Sequence, residues 1–166
     1  MTTPLGTVTA DDQGATIAFE RRYPHPIEAV WAALTEPEQL ASWLGVTVLE
    51  GCEGGTIVIE AGPQSLPVEV RRTTGRILAW DPPRVLEYEW HQAIIEASTV
   101  RFELTADGDA TVLKLIHRWL SPRNANGFIP GWHAYLDRLA AHLAGDEIPD
   151  WSERYEQLKG GYSQAW

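Results

Sequence analysis

Three strand-length segments carry an unbroken two-residue alternation, and this constrains the fold more than any other feature. In RVLEYEWHQ, Leu86, Tyr88 and Trp90 oppose Glu87 and Glu89. In ASTVRFELTAD, Val100, Phe102 and Leu104 oppose Thr99, Arg101 and Glu103, and in ATVLKLIHRWL, Leu113, Leu115 and His117 oppose Lys114 and Arg118. Side chains alternate across a strand, so these segments predict a sheet with one apolar and one wet face. Shorter β-rich runs (ATIAFERRY, VTVLE, GTIVIE, PVEVRRTTGRILAW) add strands. DPP at 81–83 and DGD at 107–109 supply tight turns between antiparallel partners.

An apolar sheet face needs a cover, and the sequence offers one long amphipathic helix. PGWHAYLDRLAAHLAG predicts a helix starting at or slightly before Pro130 and stopping near Gly145. Trp132, Leu136, Leu139 and Leu143 form its apolar stripe and are expected to pack on Phe102, Leu104, Leu113 and Leu115. Earlier, HPIEAVWAALTEPEQLASWLG predicts two short helical pieces. Ile27, Val30, Trp31 and Leu34 line the first, and Leu40, Trp43 and Leu44 line the second. A Thr35–Glu38 capping box around Pro37 is expected to restart the second piece. Such short helices need a surface to lie on. Strands segregated from helices, with a long C-terminal helix over the sheet, define an α+β class.

The expected organisation is a frayed arm over 1–14, one domain over 15–145, and a tail over 146–166. In the tail Trp151, Tyr155 and Leu158 suit a short docked helix followed by a loose end. Thirteen Lys+Arg against 23 Asp+Glu give a formal charge of −10, a balance that argues against nucleic-acid or anionic-membrane surfaces. No apolar run approaches a bilayer span, and the N-terminal MTTPLGTVTADDQG has neither a basic start nor an apolar stretch. Cys52 stands alone, which suits a reducing compartment, and the expected location is cytoplasmic.

HPIEAVWAALTEPEQLASWLG, GRILAWDPPRVLEYEW, STVRFELTADGDATVLKLIHRWL and GWHAYLDRLAAHL occur in the order of the motifs of the family named for the activator of Hsp90 ATPase. The chain resembles that AHSA1-like family, of the START-like or SRPBCC superfamily, over about residues 15–145. The resemblance implies a helix-grip fold, in which a curved antiparallel sheet wraps a long C-terminal helix around a cavity and the helix pair plugs one end. In the eukaryotic namesake this domain belongs to a co-chaperone with a second, N-terminal domain. Superfamily relatives include lipid carriers, hormone receptors and polyketide cyclases, and fold alone does not choose among such roles.

Candidate ligand-binding residues are Trp43, Tyr88, Trp90, Phe102, His117 and Trp132. His117 sits on the inward face and could donate a hydrogen bond or act as a general base. A structural histidine is the preferred reading, because no inward carboxylate is evident as its partner. Trp43 and Trp90 are balanced between ligand walls and core, Trp132 reads first as core, and the Tyr88 hydroxyl could orient a ligand. Trp80 and Trp119 suit packing or rim positions. His133 and Asp137, four residues apart, read as a solvated pair. No metal-ligand cluster, phosphate-binding loop or cofactor motif is present, and Cys52 is given no role. The leading expectation is a binder of a small apolar or aromatic molecule. The alternatives are a polyketide-cyclase-type enzyme using His117 and Tyr88, and an interaction module for a chaperone or protein client. A homodimer remains open.

Overall fold

The computed structural model describes residues 3–162. Its elements run β1 (Thr7–Asp11), β2 (Gly14–Tyr23), α1 (Ile27–Thr35), α2 (Pro37–Trp43), β3 (Val46–Leu49) and β4 (Thr56–Glu60). These are followed by α3 (Val68–Arg71), β5 (Arg72–Asp81), β6 (Val85–Gln92), β7 (Ser98–Asp107), β8 (Ala110–Leu120), α4 (Pro122–Ala144) and α5 (Trp151–Tyr162). All eight strands form one antiparallel sheet in the order β1-β2-β8-β7-β6-β5-β4-β3.

The alternation decides the faces as expected. Leu86, Tyr88, Trp90, Val100, Phe102, Leu104, Leu113, Leu115 and His117 are all buried, and their strand neighbours are half-buried or exposed. The β7–β8 hairpin closes Asp107 on Ala110 around a two-residue turn, where Gly108 takes φ 61, a region that favours glycine. Two bulges interrupt the ladder and bend their strands. One inserts Leu78 into β5, between the Ile77–Tyr88 and Ala79–Glu87 pairs. The other sets three residue steps of β8 against two of β2, and Trp119 takes φ 74 there.

In the hollow of this sheet lies α4, with Trp132, Leu136 and Leu139 buried in the core and Leu143 only partly covered. It is longer than expected, starting at Pro122 rather than near Pro130. Ser121 caps it by accepting from the Asn124 amide at 3.1 Å, and Glu96 accepts from the Ser121 amide at 2.7 Å. The periodic stripe fades before Pro130, which misplaced the start. Pro130 lies inside the helix and leaves the Asn126 carbonyl without its usual donor. Gly145, in the left-handed region at φ 73, ends it.

The helix pair packs as anticipated, with Val30, Ala33, Leu34, Leu40 and Trp43 buried. Its capping box is absent. Thr35 donates to the Trp31 carbonyl at 2.8 Å, and Glu36 is the N-cap. The residue before a proline is pushed out of the helical region, so the break falls at Glu36 instead of Thr35. Arg138 then ties α2 to α4, its Nε donating to the Trp43 carbonyl at 3.0 Å and Nη2 to the Ser42 carbonyl at 3.2 Å. A cation at those terminal carbonyls is favourable.

The N-terminal arm, expected to fray, instead adds β1 to the sheet edge beside β2. Its side chains are mostly exposed, so its order rests on backbone pairing that hydrophobic patterning does not register. The tail forms α5 against α4, and residues 1–2 and 163–166, including the expected loose end, lie outside the described residues. No helix among the described residues is long and apolar enough to cross a membrane.

Leu139 is fully buried whereas Leu143 lies at the margin of the same stripe. Leu139→Ala is therefore expected to lower unfolding free energy by about 2–5 kcal/mol in urea melts, and Leu143→Ala by clearly less. Equal losses would mean that the buried face of α4 is assigned wrongly.

Candidate functional site

Aromatic side chains form a continuous seam through the interior. On the strands, Tyr88 faces Trp90 and Phe102, each with ring centres 6.4 Å apart. Trp90 lies 5.4 Å from Trp132 of α4, which approaches Phe102 at 6.2 Å. The seam then leaves the sheet through Tyr135 (5.9 Å from Trp132), Trp151 (5.4 Å from Tyr135) and Tyr155 (5.3 Å from Trp151).

Gly131 lets α5 join this seam. Gly127 and Gly131 lie one turn apart on α4 and offer bare backbone. Trp151 Nε1 donates to the Gly131 carbonyl at 3.1 Å, and the Tyr155 hydroxyl donates to the Gly127 carbonyl at 2.8 Å. A Cβ at Gly131 would sit 3.1 Å from the Trp151 ring, too close unless the indole moved.

Between α4, α5, the inner ends of β5 and β6 and the 61–71 segment lies a recess of about 250 Å³. Trp90, Phe128, Trp132, Tyr135, Trp151 and Tyr155 form its aromatic wall, and Leu66, Val70 and Arg71 stand on the segment opposite. Hydrogen bonds hold that segment in place. Gln92 donates from Nε2 to the Val70 carbonyl at 2.8 Å while its Oε1 accepts from Trp90 Nε1 at 3.0 Å.

Of the six residues proposed from the sequence, Trp90 and Trp132 line this recess. Trp43 sits elsewhere, fully buried under the helix pair, and its indole N–H donates to the Ala33 carbonyl at 2.8 Å. Tyr88, Phe102 and His117 are buried in the seam behind the wall. Trp80 packs edge-on against Trp31 at 5.2 Å, and Trp119 is exposed on β8. Sequence reasoning missed Ser98, Phe128 and Tyr135. Ser98 begins a strand, whereas Phe128 and Tyr135 belong to a helix whose first two turns and second face were not anticipated.

His117 has no contact with water and forms one directional chain. Trp132 Nε1–H donates to Nδ1 at 3.0 Å. Nδ1 is therefore the acceptor, and the neutral ring carries its proton on Nε2, which faces Ser98 Oγ at 2.9 Å. Ser98 in turn donates to the Trp90 carbonyl at 3.0 Å. Burial pushes the imidazole down to about 3. This polarity opposes that of an activated serine, since the ring donates to Ser98 and has no free lone pair to take its proton.

His133 and Asp137 do not form a solvated pair, because β1, the arm and α5 cover this face of α4. His133 is fully buried, with Nδ1 2.7 Å from the Tyr162 hydroxyl and Nε2 2.6 Å from Thr3 Oγ1. Thr3 also donates to Asp137 at 2.9 Å, and Arg154 does the same from α5 at 2.9 Å. Burial holds His133 down to about 4, with Asp137 opposing the shift.

The curved sheet gripping one long helix defines the helix-grip class. Residues 24–144 match the family model described as activator of Hsp90 ATPase homolog 1-like protein, and the chain belongs to that family. A protein encoded by gene BPP1335 of Bordetella parapertussis is 31% identical, with 100% of this chain and 96% of that one covered at a TM-score of 0.75. CalU16 of Micromonospora echinospora is 24% identical over 96% and 94% of the two chains, at a TM-score of 0.74. The protein MLL2253 of Mesorhizobium loti is 26% identical over 80% and 99%, at 0.69. The comparison with curated proteins finds no match.

The neutral His117 makes stability depend on pH. The folded chain resists protonation down to about 3, whereas an unfolded histidine takes up its proton near 6.5. The stabilisation is complete above 6.5 and is lost as pH falls toward 3. Between pH 7 and pH 5 this histidine accounts for a loss of roughly 2 kcal/mol. Urea melts at the two pH values are expected to show a smaller drop for His117→Gln than for wild type. An equal drop would show that His117 is not held neutral.

Proposed function

We propose that this chain is a binding protein that takes a small apolar aromatic molecule into the recess between α4, α5, the 61–71 segment and β5–β6. The observation that carries the reading is the wall of six aromatic residues around about 250 Å³ of space. Recesses of this kind, mostly apolar with a few polar groups, are typical of small-molecule sites, and this one falls a little below the drug-sized range. Membership of a family in a superfamily that includes ligand carriers supports it. Of the six residues proposed from the sequence, Trp90 and Trp132 contact the ligand. Phe102, Tyr88 and His117 act from behind by fixing the two tryptophans, and Trp43 anchors the helix pair.

Catalysis of the polyketide-cyclase type with His117 as base is the weaker reading. Its acceptor nitrogen is taken by Trp132, and its basicity is far below that of a general base at neutral pH. A cytoplasmic location accords with the single cysteine, Cys52, which is exposed and unpaired.

The neutral dye N-phenyl-1-naphthylamine tests the binding reading. Its emission is expected to rise saturably at one dye per chain. Val70→Trp, which adds bulk at the recess rim, is expected to abolish the rise without lowering the melting temperature by more than a few degrees. A linear response, or unchanged binding by a folded Val70→Trp variant, would contradict the proposal.

A further inference from the structure

Among the described residues, Arg71 is the one charged residue lining the recess. In a chain whose formal charge is −10, a solitary cation beside an aromatic wall points to a particular ligand chemistry. Arg71 ends α3, and its Nε donates to the Leu66 carbonyl at 3.0 Å, which fixes the guanidinium at the rim. Among the described residues no carboxylate lies within 4.0 Å of it, whereas its neighbour Arg72 pairs with Glu60 at 3.7 Å.

The other polar groups around the recess sort themselves by what they have left to offer. Gln92 is used at both ends of its amide, by Trp90 and by the Val70 carbonyl. The Tyr135 phenol also lines the recess, and burial raises its pKa, so it keeps its proton. Besides Gln92, the polar side chains facing the recess are thus the Arg71 guanidinium and the hydroxyls of Thr73 and Tyr135, with no carboxylate among the described residues.

Resting on the binding reading above, we infer that the recess selects an aromatic acid: a fused-ring body against the tryptophans, with a carboxylate or phenolate at Arg71. A charge-assisted hydrogen bond to guanidinium compensates an anion for lost hydration. An amine in the same place would meet a like charge and no acceptor acid, so cationic ligands are excluded. The volume suits two or three fused rings.

Calorimetric titration of the full chain at pH 7 with 2-naphthoate, 2-naphthamide and 2-naphthylmethylamine separates these cases, because the three probes share one ring system. Naphthoate is expected to bind about tenfold more tightly than the amide, with no measurable binding of the amine. Arg71→Gln is expected to bring the acid-to-amide ratio close to one, while Arg72→Gln keeps it. Thermal melts of both variants check that they are folded. Equal affinity of wild type for acid and amide, or a preference that survives in Arg71→Gln, would overturn the inference while leaving the aromatic recess intact. Binding of the neutral naphthylamine dye without any binding of naphthoate would do the same. Failure of all four aromatic probes would remove the binding reading, and this inference with it.

Discussion

A histidine sealed from water between a helix and a sheet has to satisfy both ring nitrogens, and that constraint organises the interior. The chain Trp132–His117–Ser98–Trp90 crosses from α4 to β8, β7 and β6 with one donor and one acceptor at each step. It fixes the tautomer of His117 and the indole of Trp132, while the Trp90 indole is held by Gln92. Removing the polar side-chain atom of Trp132, His117 or Ser98 leaves a buried polar atom without a partner, which costs more than the bond itself contributes. The bond that makes His117 a poor base also holds Trp132 as a wall of the recess.

A second polar chain governs the other face of α4. The Gly6 amide donates to the Tyr162 hydroxyl at 2.8 Å, and that hydroxyl can donate onward to His133. His133 and Thr3 continue the chain to Asp137, where Arg154 meets it from α5. The N-terminal segment, the long helix and the last helix are thus joined around one buried imidazole. Since α5 carries Trp151 and Tyr155, this junction holds one side of the recess at a distance. It lies largely outside the 24–144 segment that matches the family model, so this wall is contributed by the chain beyond the family core. Arg21 is the uncomfortable member of this face. Its guanidinium stacks over Phe19 at 5.1 Å, but its Nε and Nη2 are buried without hydrogen-bond partners, and desolvation lowers its basicity.

Much of the fold was legible because a period of two and a period of 3.6 residues report burial directly. Val100, Phe102 and Leu104 could be assigned to the inner face from spacing alone, as could Leu136 and Leu139. Boundaries fixed by backbone or capping geometry were less visible. Glu36 became the cap because Pro37 restricts its neighbour, and β1 formed through edge pairing with little side-chain burial. The candidate site was legible only in part. Trp90 and Trp132 follow from strand and helix phase, but Trp151 and Tyr155 reach the recess on α5, whose close approach depends on Gly131. Close approach at a glycine depends on a distant segment and has no local signature. His133 was misjudged for the same reason, since what buries it is 130 residues away in sequence at Thr3.

The central claim is that His117 is a neutral, doubly bonded strut and not a titrating group. Nitrogen-15 NMR of the two imidazole nitrogens reads this directly. The account predicts a protonated Nε2 and an unprotonated, hydrogen-bonded Nδ1, with shifts that stay constant from pH 7.5 to about pH 5. A proton on Nδ1, or a titration midpoint near 6.5, would contradict it.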